Sequence, residues 1–540
     1  VFGPPAALCG ILTESQVNLW TLLVFPHLNK KTMYRAPLLA LFALPLIFCA
    51  VGIYLYVSAN QASNTNIAGP VKTDYVATFN SKLESGDPAD NAAIELIKIF
   101  GPTAVPENLR RIYAEELGID FDQLEDSDSL PFFKDSMPSA DSELFASGLS
   151  KAKTQAWNKE NAGQGLQTVA AWLRMNQSAS DRAVAALDLP DFYLPMLKES
   201  PDQWLFEVPL PFSQKCIQLS LLLRVRALLA IGENRFADAL RDLLAIRKLS
   251  RKITHLPLQW LLMENLVIEE NAWAVEIELL NSENITSVQL LSYRDKLLGL
   301  ERALTSAEKI DIGVRLLHRD FVTNLARKKQ DDLHPRMEGE WQHYFGVFQK
   351  LGVDFDESSA EIDRYVDQIV TSSELATAQE QTQELDRLLP AIGTGHGFFK
   401  LMLANEKERG RILAQMVLNI FRPRLRIMLI QDKMVEARDA VMLLALEIRA
   451  AKLEGKSYPQ DIYELRSQVD GSLLQSPLDG QVIQYGLIQD GFSLGFDRGR
   501  IASEVRLHFP LELQVGHRTG EQKTVLQSLD VLTWLRGSGH

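Results

Sequence analysis

The residues best placed to do chemistry lie near the C-terminus, in "SPLDGQVIQYGLIQDGFSLGFD", Ser476 to Asp497. Asp479, Asp490 and Asp497 are hard oxygen donors clustered at turns, the ligand type that suits calcium. Asp-Gly is also common chemistry for tight turns, because Gly tolerates positive φ and Asp bonds its own backbone two residues on. Turn formation alone accounts for Asp479 and Asp490, so Asp497 is the residue left for a metal to explain. A second acidic group, Asp120, Asp122, Asp126 and Asp128, fails the EF-hand register: neither start places Gly at the sixth position. It reads as a solvated loop that also supplies helix caps.

Other patterns fall short of a catalytic centre. There is no Gly-x-Ser-x-Gly elbow, and the nine histidines include no pair one turn apart on a helix. His334 and His343 read as surface or loop histidines. Gly455-Lys456-Ser457 imitates the end of a phosphate loop, but Ala450 stands where the first Gly is required, and a helix rather than a strand precedes it. "GTGHG", Gly393 to Gly397, has no preceding strand and reads as a linker. Arg422, Arg424 and Arg426 alternate around Pro423, the pattern of basic residues at a helix boundary pairing with local acids.

These residues need elements to hold them. The 540 residues are 46% hydrophobic and 23% charged, ordinary for a chain with a packed core. A net charge of −13 argues against nucleic acid as a partner. Cys9, Cys49 and Cys216 provide neither a disulfide framework nor a cysteine-based zinc spacing. Ala36 to Val57 has no charged residue and is long enough to cross a bilayer. Lys30, Lys31 and Arg35 precede it, which predicts a cytoplasmic N-terminus and an exported C-terminal body. The alternative is a cleaved signal peptide ending near Val57-Ser58-Ala59. Met33-Tyr34-Arg35 would make a natural start, so residues 1–32 are set aside.

The spacing then predicts a cytoplasmic or extraneous tail over 1–35, the membrane helix over 36–57 and a polar spacer over 58–88. An irregular helical ectodomain follows over 89–433, and a small α+β module over 434–540. "NAAIELIKIFG" is a helix stopping at Gly101, and "ENLRRIYAEELG" one stopping at Gly118. "LGIDFD" at Leu117 recurs as "LGVDFD" at Leu351, each fitting a Gly stop and an acidic cap. Leu221 to Ile253 is a helical hairpin with Gly232 between its arms, and Ala237 and Ala239 allow close approach. In the last module Ile483, Tyr485 and Leu487 share one strand face, and Phe492, Leu494 and Phe496 share the next. Asp490-Gly491 is the expected turn between them. Val505 to Phe509 and Leu511 to Val515 suggest further strands, and Gln522 to Leu535 a last helix.

"LALEIRAAKLEGKSYPQDIYEL" followed by the Ser476–Asp497 stretch resembles the C-terminal part of type II secretion pseudopilins. The same combination closes a family of large single-anchor envelope proteins of planctomycete bacteria. "NAAIELIKIFGP", "AWLRMNQSASDRAV" and "RALLAIGENRFADALRDLLAIRKLSR" are similar to that family as well, so the resemblance spans most of residues 90–500. It implies architecture and location, but no activity. The pseudopilin likeness also implies calcium at the terminal loops, hence at Asp479, Asp490 and Asp497. The chain departs from a pseudopilin in placing hundreds of helical residues between anchor and motif.

The expectation is a mainly α, single-pass envelope protein with the membrane and other envelope proteins as partners. No small-molecule substrate is identifiable. Three functions stay open: a scaffold or interaction protein without catalysis, an exported enzyme with a dispersed site, and an accessory component of a secretion or pilus-like apparatus.

Overall fold

A computed structural model describes residues 74–83, 87–124, 142–327, 348, 352–389, 401–488, 491–495 and 512–515, apart from 201–202, 209, 211, 259–260, 402 and 468–469. The chain divides into two compact units, Val1–Ala68 with Gln330–Val353, and Gly69–Lys329 with Asp354–His540. The architecture below is that of the second unit.

Its first helices are α1 (Tyr75–Leu83), α2 (Ala92–Phe100) and α3 (Glu107–Leu117). The Asn91 side chain caps α2 by accepting from the Ala93 amide, and Gly101 ends it at φ +75°. Gly118 ends α3 in the left-handed region, and Gly352, in the second copy of the repeated hexapeptide, also has positive φ, at 75°. There Asp354 caps the next helix through Glu357 N–H, whereas Asp120 accepts from Asp122 N–H within a turn. Two asparagines imitate strand pairing: Asn91 donates to Tyr193 O and accepts from its N–H, and Asn80 does the same with Met196. These side chains tie the N-terminal helices to residues a hundred positions later.

After α4 (Ser142–Ala152), α5 (Gln164–Met175) and α6 (Gln177–Ala186) comes the expected hairpin, α7 (Ser213–Gly232) and α8 (Phe236–Ile253). α9 (Leu261–Asn281) packs on both arms, and α10 (Ser287–Leu298) follows. Ala239 is fully buried, but Ala237 faces outward. Gly232 closes α7 rather than forming the turn; the left-handed turn residue is Asn234, at φ 58°. The glycine answers a different demand, since a Cβ there would lie 2.1 Å from Trp157 O. Gly232→Ala is therefore expected to destabilise by about 1–3 kcal/mol through overpacking. Urea melts of the two proteins measure this, and equal midpoints would refute the close-approach argument.

α11 (Ser306–Lys309) runs through a π-turn (Ile310–Val314) into α12 (Arg315–Arg327). α13 (Phe355–Ser373) and α14 (Ala378–Leu388) then lead to α15 (Glu406–Leu453). At 48 residues, α15 is about 70 Å long. It is the spine, with α9, α10, α13 and α14 packed along it. The expected boundary at 433/434 falls inside this uninterrupted helix. Pro423 also lies within it, so the three arginines mark no helix end. Arg422 and Arg426, one turn apart, both bind Asp386 of α14, at 2.7 and 2.6 Å.

The terminal module is a three-stranded antiparallel sheet in the order β1 (Gln484–Ile488), β2 (Gly491–Gly495), β3 (Glu512–Val515). Tyr485 pairs with Leu494 and Leu487 with Phe492, the shared face expected from alternation. Ile488 pairs with Gly491, so Gly491 belongs to β2 rather than to the connection. Tyr485 donates to Pro459 O at 2.8 Å, the Tyr458 and Phe492 rings lie 5.6 Å apart, and Lys452 sits over Tyr458. The "GKSYPQ" segment thereby clamps the hairpin onto the end of α15. Among the described residues no helix is long and apolar enough to cross a membrane. Residues 36–57, Val505 to Phe509 and Gln522 to Leu535 lie outside them.

Candidate functional site

A cleft of about 670 Å³ opens between α8, the 299–305 loop, α11 and α15. A hollow of about 800 Å³ between α2 and α6 is lined by Glu95, Lys98, Arg182 and apolar neighbours. The spine presents Asp432 and Asp439 to the cleft, seven residues or two turns apart, hence about 10 Å. Asp432 accepts from Ser306 Oγ at 2.6 Å and from Lys309 Nζ at 2.7 Å. Lys309 is only 4% exposed and stands directly before the π-turn, a helix irregularity frequent at functional sites.

The other end of the cleft is the wall of a buried ion cluster. Arg247, 1% exposed, holds Glu276 in bidentate contact at 3.0 and 2.6 Å, Asp439 at 3.0 Å, and Glu269. Arg251 binds the second oxygen of Asp439, and the Tyr293 hydroxyl donates to Glu276 at 2.6 Å. Burial alone would lower the Arg247 pKa, but Glu269, Glu276 and Asp439 outweigh it and hold the group well above its usual value. Burial, followed by Glu276, raises Tyr293. Four helices, α8, α9, α10 and α15, meet through this one guanidinium.

Ser250 adjoins the cluster. Its hydroxyl lies within hydrogen-bond distance of Glu269 and 2.9 Å from the Asn265 amide group. A hydroxyl has one proton, and the Glu269 carboxylate takes it. Asn265 is 6% exposed and lines the cleft.

Other buried titratable groups stand apart. Glu264 accepts from Ser213 Oγ at 2.9 Å while its Oε2 is buried without a partner; burial raises its pKa to about 7. Burial, then Glu264, pushes the Cys216 thiol well above its usual value, which keeps it protonated. His318 is fully buried against Phe421 and donates from Nδ1 to Val314 O at 2.6 Å; burial lowers its pKa to about 4. That imidazole is a neutral core group.

Of the residues expected to bind metal, Asp479 is described. It accepts from Gln481 N–H at 3.1 Å beside Gly480 at φ +76°, so its carboxylate stabilises a turn. Asp490, Asp497, Asp126, Asp128, His334, His343 and Gly393 to Gly397 lie outside the described residues. Among the described residues no group of three or more His, Cys, Asp or Glu is arranged to hold a metal ion. The cleft and its cluster were missed by motif reading. Their signal was available in "ENLVIEENAWAVEIELL", where Glu269 and Glu276 stand two turns apart on a buried face.

No protein-family model, curated protein or solved structure matches the chain.

Proposed function

We propose that the chain is a membrane-anchored envelope protein that serves as a scaffold for other proteins and has no catalytic activity. Residues 36–57 hold it in the bilayer, and the helical body stands on the exported side. The observation that carries the interaction reading is β1. Among the described residues it is one of the two outer strands of its sheet, with Leu487 and Ile488 at 46% and 36% exposure. An outer strand offers a row of backbone donors and acceptors that another extended segment can pair with in place of water. The occupant is therefore a strand of a second envelope protein, added beside β1. The pseudopilin resemblance of this module makes a component of a secretion or pilus-like apparatus the first partner to seek.

In-cell cross-linking from Gln484 tests this by comparing the natural chain with Leu487→Asp/Ile488→Lys. A specific envelope component should be captured by the first and lost from the second, with both proteins melting alike. Equal capture, or none by the natural chain, removes the edge as the docking element. The polar cleft favours the second reading, an exported enzyme, and turnover of an envelope substrate abolished by a cleft substitution would establish it instead.

A further inference from the structure

Helices α6, α8 and α10 border a groove of about 430 Å³ that shares no residue with the cleft. Leu240 and Leu244, one turn apart on α8, form its half-buried floor, and Val184 of α6 and Val288 of α10 its walls. Val288 is 75% exposed, so an apolar wall stands open to water. Side-chain bonds fix the direction of the helices. Asn284, ahead of α10, donates to Asn234, ahead of α8, at 2.8 Å. Further along, Arg247 of α8 and Tyr293 of α10 meet on Glu276. The two helices therefore run the same way, with Ala237 and Val288 at one end of the groove and Lys248 and Lys296 at the other. Four lining residues are charged: Arg241, Lys248, Lys296 and Asp188. Lys248 pairs with Asp188, and Arg241 shares Asp181 and Asp242 with Arg226. Lys296 is left over, exposed and without an ion pair to any described residue. A chain of net charge −13 thus carries a groove that is apolar at one end and cationic at the other.

We propose that this groove docks an acidic amphipathic helix of a partner protein, with apolar side chains on Leu240, Leu244 and Val288 and carboxylates at Lys248 and Lys296. The spacing fits a helix. Leu240 and Lys248, like Val288 and Lys296, are eight residues apart on their helices, hence about 12 Å. On a helix laid along the groove, residues seven or eight positions apart cover that distance from a single face. Its direction follows from the charges. Carboxylates are favoured in the first turns of a helix by its dipole. The docked helix therefore starts at the lysine end and runs antiparallel to α8 and α10. A wholly apolar segment would take Lys296 out of water without pairing it, and a basic one would meet three cations. The inference goes beyond the β1 reading, because the groove uses no residue of that sheet and either site can fail without the other.

The test is calorimetric titration of the full-length chain with a capped helical peptide of about eighteen residues, long enough for an alanine-rich helix to form in water. It consists of alanine and glutamine, with glutamates in its first two turns and leucines seven positions after each. This peptide should saturate the protein. Lysines in place of the glutamates should weaken binding about tenfold or more, because like charges then face each other across the interface. Val288→Asp, at an exposed position, should weaken the glutamate peptide comparably while the protein melts as before. Lys296→Glu should weaken the glutamate peptide and strengthen the lysine one, an exchange that loss of fold would not produce. Absence of saturable binding, equal affinity for the two peptides, or undiminished binding of the glutamate peptide by either variant would overturn the proposal. So would a dimer of the natural chain that Val288→Asp abolishes, since a second copy would then cover the face.

Discussion

Arg247→Met is expected to remove about 3–5 kcal/mol of folding stability, the typical result of stripping one partner from a buried ion cluster. The loss is large because of what remains. Glu269 and Glu276 are 2% and 0% exposed, and both would be left buried without the guanidinium that pairs with them. Tyr293 would still donate to Glu276, and Ser250 to Glu269, but a hydroxyl supplies no opposite charge. Asp439 loses less, since Arg251 also binds it. The triple change Arg247→Met/Glu269→Leu/Glu276→Leu should recover most of the loss, because buried ion pairs exchanged for apolar residues of similar volume are often neutral or better. Urea denaturation of the three proteins is the measurement. A single variant as stable as the natural chain would show that the carboxylates reach water, and would sink the account of the cluster.

What the sequence disclosed divides by range. Helix α2, its cap at Asn91 and its stop at Gly101 were legible, since every residue involved lies within ten positions. The β1–β2 face was legible for the same reason, although Gly491 proved to be a strand residue. Gly232 looked like a turn glycine because its true constraint, the Trp157 backbone, is seventy-five residues away. Pro423 suggested a helix end, yet the helix continues through it; a break was expected from its missing N–H, and packing along the spine overrode that local preference. The cleft was out of reach in the same sense. Lys309 and Asp432 are 123 residues apart, and Arg247 and Asp439 are 192 apart. Each looks like an ordinary charged residue of a helix until the helices are placed side by side. The charges themselves carried a weaker signal. An acid on the buried face of α9 requires a cation or a proton, and the sequence could have been asked which one.

Glu264 is the acid that takes the proton, and Glu264→Gln is expected to stabilise the protein only at neutral and alkaline pH. It stands in the first turn of α9, where the helix dipole favours a negative charge. Burial opposes the dipole and prevails, raising the pKa to about 7 from an ordinary value of 4.5. The Ser213 hydrogen bond pulls the other way and is outweighed by burial. Ser213 Oγ lies 2.9 Å from Glu264 and 3.3 Å from Leu210 O, with one proton for two acceptors. Below about pH 4.5 the acid is protonated in folded and unfolded chains alike, and the site has no effect on stability. Between about 4.5 and 7 the unfolded chain gives up the proton and the folded chain retains it, so stability falls as pH rises. Above about 7 the loss is complete, at most about 3 kcal/mol for a shift of this size. Glutamine keeps an acceptor for Ser213 Oγ and cannot ionise, so it escapes the loss. Chemical melts at pH 4.5 and pH 8 should show the variant close to the natural chain at the first and more stable by up to about 3 kcal/mol at the second. A stability difference that does not change between those two values would mean that water reaches Glu264 Oε2 and that the carboxylate is charged in the fold.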